Sequence, residues 1–246
     1  MLDFTKALTP ASAVRYVAWK LTQQVKPLPV RLRTGPRFLL RSDTSENNDY
    51  GVAYEVFIHD YYRLPPEMDR SRVRTVVDLG GNVGMSVLHW LNEFPSCSVE
   101  VWEPNPAHVA QMHHNLALSD QPARVVVHQE AAGARTRVER FASLGTSTSA
   151  HVSSDTTFDA QIVDVLDRLK GRRIDLLKMD IEGGEYELLA DPRFAGLEIG
   201  ALVMEWHARE DAHTDRHWCE MRLMSMGLAI RPVFTERDHG MFWAVR

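Results

Sequence analysis

The sequence predicts an α/β fold built on a seven-stranded, mostly parallel sheet with helices on both faces. Three observations carry this expectation. Thr75-Val76-Val77-Asp78-Leu79-Gly80 is an apolar, β-branched run ending in a glycine turn, followed by an amphipathic helix and a second apolar strand. From residue 75 onward, strand-like runs alternate with helical patterns, so the first five strands are joined by helices and run parallel. The final two runs are separated only by the polar stretch 235–240, too short for a crossover helix, and must form an antiparallel hairpin.

The N-terminal part reads as a cap. Between residues 10 and 24, Val14, Val17, Ala18 and Leu21 recur at helical spacing, and Pro27 and Pro29 close the segment. Residues 30–40 alternate apolar and basic side chains around Gly35-Pro36 as a hairpin does, and 49–62 reads as an aromatic-rich helix stopped by Pro65-Pro66. Residues 1–70 are accordingly assigned to the cap and 71–246 to the main domain. In that domain the expected strands are 75–80, 98–103, 124–130, 173–180, 198–206, 227–234 and 240–246. The expected helices are 84–94, 106–118, 161–170, 184–190 and 214–225, with an irregular stretch over 132–158.

A chain of 246 residues buries a full core as one α/β domain with an appendage. Its 28 Lys and Arg against 33 Asp and Glu leave a net charge of −5. No basic stripe of the kind nucleic acid requires is present, although Arg31, Arg33, Arg37 and Arg41 cluster near the N-terminus; the expected partner is a small molecule. The two cysteines, Cys97 and Cys219, without a secretory leader, fit reduced thiols in a cytoplasmic protein. No apolar stretch approaches the roughly 20 residues a membrane helix needs. The sequence is silent on oligomeric state.

The glycine loop points to the cofactor. A dinucleotide fingerprint, Gly-x-Gly-x-x-Gly, would need a glycine where Met85 stands, which disfavours NAD. Asp78, Gly80 and Gly84 instead meet the looser acid-x-Gly-x-x-x-Gly pattern of enzymes that use S-adenosylmethionine (SAM). Gly80, Gly81 and Gly84 allow positive φ and close approach of backbone N–H groups to a ligand. Asp78, Gly80, Gly81, Asn82 and Gly84 are thus placed near the methionine end of the cofactor. Glu103, followed by Pro104, is placed on the ribose hydroxyls, and Gln129, Glu130 and Ala131 near the adenine. An NAD(P)-dependent reductase on a related sheet is the rival reading.

The stretch Ile174-Asp175-Leu176-Leu177-Lys178-Met179-Asp180-Ile181-Glu182-Gly183-Gly184-Glu185-Tyr186 closely resembles the most distinctive segment of the FkbM family of SAM-dependent methyltransferases. The likeness runs over residues 48–206. It takes in Asp49, Glu55-Val56-Phe57 and Tyr61; the loop from Asp78 to Gly84; Glu103-Pro104-Asn105-Pro106 with Asn115; Ala131-Ala132-Gly133; and Leu202 to His207. Gly81 and Gly184 stand where alanine is commoner in the family. The resemblance implies a Rossmann-like class I methyltransferase that transfers the SAM methyl to a hydroxyl oxygen of a polyketide, sugar or other specialised metabolite. Some relatives methylate nitrogen.

A hydroxyl acceptor must be aligned and must lose its proton, so the base is expected where strands 173–180 and 198–206 end. Asp180 is a candidate base, acceptor contact or metal ligand and is also counted among the cofactor-binding residues, against the alternative of a turn residue bonding the Gly183 and Gly184 amides. His207, as neutral imidazole, is the natural base, with Glu205 orienting it or holding substrate. Glu182 is a weaker candidate, and Glu185 weaker still, since acids in a helix's first turn are stabilised without chemistry. Asp180, Glu205 and His207 also form a conceivable divalent-metal set, disfavoured because no spacing such as His-x-x-x-His supports it. His213, His217 and Trp218 could line an acceptor pocket, residues 145–150 read as a mobile loop over the site, and His113-His114 as a solvated face.

Overall fold

The computed structural model describes residues 2–24, 26–41, 48–119, 122–142 and 157–246; the expected loop at 145–150 lies outside them. The chain opens with α1 (Leu2–Ala7), α2 (Pro10–Leu21), a hairpin of β1 (Leu28–Arg31) and β2 (Arg37–Leu40), and α3 (Asp49–Phe57). There follow β3 (Thr75–Leu79), α4 (Met85–Glu93), β4 (Ser98–Trp102), α5 (Pro106–Leu118) and β5 (Val125–His128). Three strands, β6 (Ala131–Gly133), β7 (Arg137–Ala142) and β8 (Thr157–Asp164), precede α6 (Val165–Leu169), β9 (Arg173–Met179) and α7 (Glu185–Ala190). The chain ends with β10 (Glu198–His207), α8 (Ala212–Met224), β11 (Ala229–Thr235) and β12 (His239–Val245).

The main sheet has the order β5-β4-β3-β9-β10-β12-β11. Only β12 runs against the rest, pairing antiparallel with β10 and β11, as the short 235–240 link requires. Successive residues of each strand point to opposite faces and build two cores. Val76, Val99, Val101, Leu176 and Val203 face α4, α5 and the N-terminal elements. Val77, Leu79, Leu177, Met179, Leu202 and Met204 face α6, α7 and α8. Among the described residues no helix is long and apolar enough to cross a membrane.

Three expectations change. The α2 helix forms, but it buries Ser12, Tyr16 and Trp19, leaving Val14 and Leu21 71% and 79% exposed. The aromatic rings win the inward face because Phe4 of α1, a helix the pattern did not reveal, packs against Tyr16 at 5.3 Å between centroids. The 132–158 stretch is not irregular where described: it holds β6 and β7, and β8 spans Thr157–Asp164, so the expected helix at 161–170 begins only at Val165. Ala160 and Ile162 alternate with exposed Asp159 and Gln161, a two-residue period, and Asp164 caps α6 by accepting the Asp167 N–H at 3.1 Å.

The N-terminal hairpin is tied to the glycine loop through one buried side chain. Asn115, on α5, accepts the Leu39 N–H at 2.8 Å and donates to the Val83 carbonyl at 2.7 Å.

Candidate functional site

The sheet order reverses between β3 and β9, and such a reversal opens a crevice at the carboxyl ends of the strands. Two adjoining cavities fill it. A cleft of about 360 Å³ crosses the tips of β3 and β4, lined by Gly80, Asn82, Glu103, Pro104, Asn105, Ala131 and Ala132. A second cavity of about 310 Å³ lies over the tips of β9 and β10, and shares Val52, Gly80, Asn82, Asp180 and Glu182 with the cleft.

The loop after β3 takes positive φ at Gly80 (86°) and Gly84 (85°) as expected, but not at Gly81; the third such residue is Asn82, at 47°. The N–H groups of Gly80, Gly81, Asn82 and Gly84, however, are satisfied internally rather than offered to a ligand. Gly80 and Gly81 both donate to the Trp102 carbonyl at 2.9 and 3.0 Å, and Gly84 donates to Gly81 at 2.8 Å. Asn82 donates to Glu103 Oε2 at 2.8 Å, while Glu103 Oε1 accepts the Asn105 N–H at 2.9 Å. Glu103 is thereby fixed at the rim of the cleft.

Several expected cofactor contacts sit elsewhere. Asp78 is fully buried and lines neither cavity; its carboxylate accepts the Trp90 indole N–H at 3.0 Å and faces Lys178 Nζ at 3.4 Å. It lies one layer beneath the site because strand alternation turns it toward α4, and the side chain that reaches the cavity is Lys178, its register partner on β9. Gly84 lines neither cavity and starts α4 against Met112; Gly81 lines the second cavity. Gln129 is exposed and Glu130 is paired with Arg168, so of that trio only Ala131 lines the cleft.

Asp180, Glu182, Glu205 and His207 do converge on the second cavity. Asp180 is held by Lys178 Nζ at 3.3 Å, and it is Glu185, not Asp180, that accepts the turn's N–H groups, from Ile181 and Gly183 at 2.8 Å each. His207 stands among carboxylates: Nδ1 is 3.4 Å from Glu185, and Nε2 is 3.5 Å from Glu182 and 3.8 Å from Glu205. Tyr186 fixes this strand tip by donating its hydroxyl to the His207 carbonyl at 2.7 Å. Ligand atoms of Asp180, Glu185 and His207 lie within 4.8 Å of one another, but both Glu185 oxygens are already engaged by backbone donors.

Burial opposes a charge on His207, yet the close Glu185 carboxylate, 3.4 Å from Nδ1, and the charges of Asp180 and Glu182 outweigh it and lift its pKa to about 10. A ring raised that far keeps its proton at neutral pH and is a weak general base there. Burial and then the Asp180 charge push Glu205 well above the ordinary carboxylate range, against the pull of His207. The same two causes push Glu55 up to about 7, with His239 pulling down and Glu236 pushing up.

An NMR titration should find the His207 ring changing state near pH 10; a midpoint near 6.5 would refute the carboxylate cage. Because the folded value exceeds the unfolded one, the stability His207 contributes is complete below about pH 6.5 and is lost as pH rises through about 10. His207→Gln should flatten that dependence.

Several site residues escaped the sequence reading. Lys178 is 2% exposed, and its signal was a charge within the apolar run from Leu176 to Met179. Arg41 and Arg137 reach the cleft, each paired with carboxylates: Arg41 with Asp49, Arg137 with Glu139 and Glu187. Phe141 and Phe158, a stacked pair on β7 and β8, also line it. Glu55, Tyr61, Phe234 and His239 wall the second cavity. His213 and His217 are exposed and line neither cavity, and Trp218 packs on Tyr186; His113 and His114 are exposed as expected.

Residues 78–237, more than half of the chain, match the Methyltransferase FkbM domain. A Beauveria bassiana (strain ARSEF 2860) protein named Methyltransferase 1 is 25% identical over 162 residues, 55% of this chain and 64% of that protein. The crystal structure of methyltransferase FkbM from Methylobacillus flagellatus KT superposes with a TM-score of 0.51 at 18% identity, over 75% of this chain and 47% of that one. The structure of M. jannaschii TYW2 in complex with AdoMet gives 0.52 at 11% identity, over 90% and 86%. The chain thus spans about half the length of the first of these structures and under two thirds of the Beauveria relative. With the reversal at β3 and β9 and the single antiparallel strand, these matches identify the chain as a member of the FkbM methyltransferase family with a Rossmann-like fold.

Proposed function

We propose that the protein is a SAM-dependent methyltransferase acting on a hydroxyl oxygen of a small polar molecule. The observation that carries this reading is an acid-rimmed cleft at the β3 and β4 tips that opens directly into a second, carboxylate-lined cavity. The chemistry of the lining fits SAM, which is cationic at its sulfonium and ammonium groups. It does not fit a diphosphate: the N–H groups of Gly80, Gly81, Asn82 and Gly84 are internally bonded, and Arg41 and Arg137 are already paired. When bound, SAM supplies an electrophilic methyl group.

In this reading Glu103 holds the ribose hydroxyls, Pro104, Ala131 and Ala132 flank the adenine, and Asp180 and Glu182 face the ammonium end. Glu205 takes the acceptor's hydroxyl proton, since a carboxylate held above its ordinary range is a stronger base than a free one. His207, as imidazolium, keeps Glu182, Glu185 and Glu205 together. Residues 1–70 serve as a cap that contributes Asn48, Asp49 and Val52 to the cleft. The carboxylates around the second cavity would repel nucleic-acid phosphates, which favours a small molecule.

Isothermal titration of the full chain tests the cofactor. SAM or S-adenosylhomocysteine should bind and NADH should not; the reverse result overturns the reading. Glu103→Ala should weaken S-adenosylhomocysteine by about 10- to 100-fold, the value of charge-assisted hydrogen bonds to a diol.

A further inference from the structure

We propose that the acceptor enters the second cavity as an organic cation, its charged nitrogen held by Glu55 and Glu236 against the rings of Tyr61 and Phe234. The inference rests on the methyltransferase reading and narrows the substrate class from hydroxylated molecules to hydroxylated amines.

Two partly buried carboxylates in this cavity, Glu55 and Glu205, receive no hydrogen bond from any described residue. Glu205 is 19% exposed, and its nearest cation is the His207 ring at 3.8 Å, which already faces Glu182 and Glu185 more closely. Half-buried carboxylates left without donors are costly, and folded proteins hold such groups where a ligand completes them. Methyl transfer to a hydroxyl needs one proton acceptor, a role Glu205 fills. Glu55 is surplus to that chemistry.

The His239 ring, whose charge draws the Glu55 carboxyl down, is itself engaged by Asp238 at 3.0 Å and Glu236 at 4.0 Å. Lys178 is committed to Asp78, Asp180 and the Gly80 carbonyl. Burial pushes the Glu55 carboxyl up to about 7, and the Asp180 and Glu236 charges add to it against the pull of His239. The missing partner is therefore a cation supplied from outside.

The aromatic part of the lining says which kind. The Tyr61 and Phe234 rings stack with centroids 4.5 Å apart, and both line the cavity beside His239. A hard divalent ion seeks six or more oxygens and gains little from such a wall. An alkylammonium gains from both, since the ring faces attract it while the carboxylates balance its charge. The protonated nitrogen is not a nucleophile, so the methyl still goes to the hydroxyl: the oxygen–methyl bond forms, the sulfur–methyl bond breaks with its electron pair left on sulfur, and the hydroxyl proton passes to Glu205.

Ligand-observed NMR titrations of the full chain saturated with S-adenosylhomocysteine test this, with tetramethylammonium, neutral tert-butanol and magnesium chloride as separate probes. Tetramethylammonium should bind at least about tenfold more tightly than tert-butanol. Glu55→Gln and Tyr61→Ala should each weaken it several-fold, while Glu55→Asp, which keeps the charge, retains most of it. Equal responses to tetramethylammonium and tert-butanol overturn the inference, as does magnesium binding that depends on Glu55 while tetramethylammonium binding does not. Normal S-adenosylhomocysteine binding with no tetramethylammonium response defeats this inference alone, whereas failure of S-adenosylhomocysteine to bind removes the methyltransferase reading beneath it.

Discussion

Gly80→Ala is expected to cost several kcal/mol of stability and to abolish cofactor binding in whatever protein still folds. Gly80 has a φ of 86°, where an L-residue is strained by about 1–2 kcal/mol. The larger problem is space: an added Cβ would lie 1.7 Å from the Asp180 carbonyl oxygen and 2.9 Å from its carbon. Both are backbone atoms, so no rotamer change relieves the clash, and the tips of β3 and β9 must separate. That separation breaks the Asp180 N–H bond to the Leu79 carbonyl, 3.1 Å, and disturbs the Lys178 contact with the Gly80 carbonyl. Gly183→Ala is the control. Its φ of 97° carries comparable strain, but nothing lies within 4 Å of its Cβ, so it should cost only about 1–2 kcal/mol. Urea unfolding of both variants, with S-adenosylhomocysteine binding to the folded fraction, decides the matter. Equal losses in the two would show that close approach of the strand tips is not the governing constraint.

The sheet was legible because its determinants are local in sequence: β-branched runs, helical connections and a link too short to cross over. Every main strand was found, with ends differing by a residue or two. The β7 and β8 pair was missed because β8 leads straight into α6, so its two-residue period was read as the start of the helix. The inward face of α2 was misjudged because Val14, Val17 and Leu21 obey helical spacing as well as Tyr16 and Trp19 do. Only the partner, Phe4 on an unsuspected helix, selects between them. At the site, the convergence of Asp180, Glu182, Glu205 and His207 followed from strand alternation, but the state of His207 did not. Its charge is set by Glu185 and Glu182 arriving from the β9 loop, a non-local arrangement that no spacing encodes. Asp78 and Lys178 show the same limit in reverse: both were visible as charged residues on apolar strands, yet that they face each other beneath the cavity depends on β3 and β9 being neighbours across a long insertion.

Lys178→Met should be the second severe substitution, for an electrostatic rather than a steric reason. Its Nζ lies 3.4 Å from Asp78 and 3.3 Å from Asp180 and also donates to the Gly80 carbonyl, with the side chain 2% exposed. Burial opposes the charge, but the Asp180 and Asp78 carboxylates more than compensate, so the ammonium stays protonated far above neutral pH. Removing it leaves Asp78 fully buried with only the neutral donors Trp90 and Ser86, and breaking one side of such a pair costs about 3–5 kcal/mol. Asp180, a quarter exposed, can turn to water and should contribute less of the loss. The double variant Asp78→Asn with Lys178→Met removes charge from both partners, so it should regain much of the stability lost by Lys178→Met alone. Such a recovered protein would also separate folding from function. With the sheet intact but no cation to hold Asp180 and the Gly80 carbonyl together, S-adenosylhomocysteine affinity should remain reduced although urea unfolding is nearly restored. If the single variant loses less than about 1 kcal/mol, or the double variant is no more stable than the single, then Lys178 is not the tie between the two strand tips.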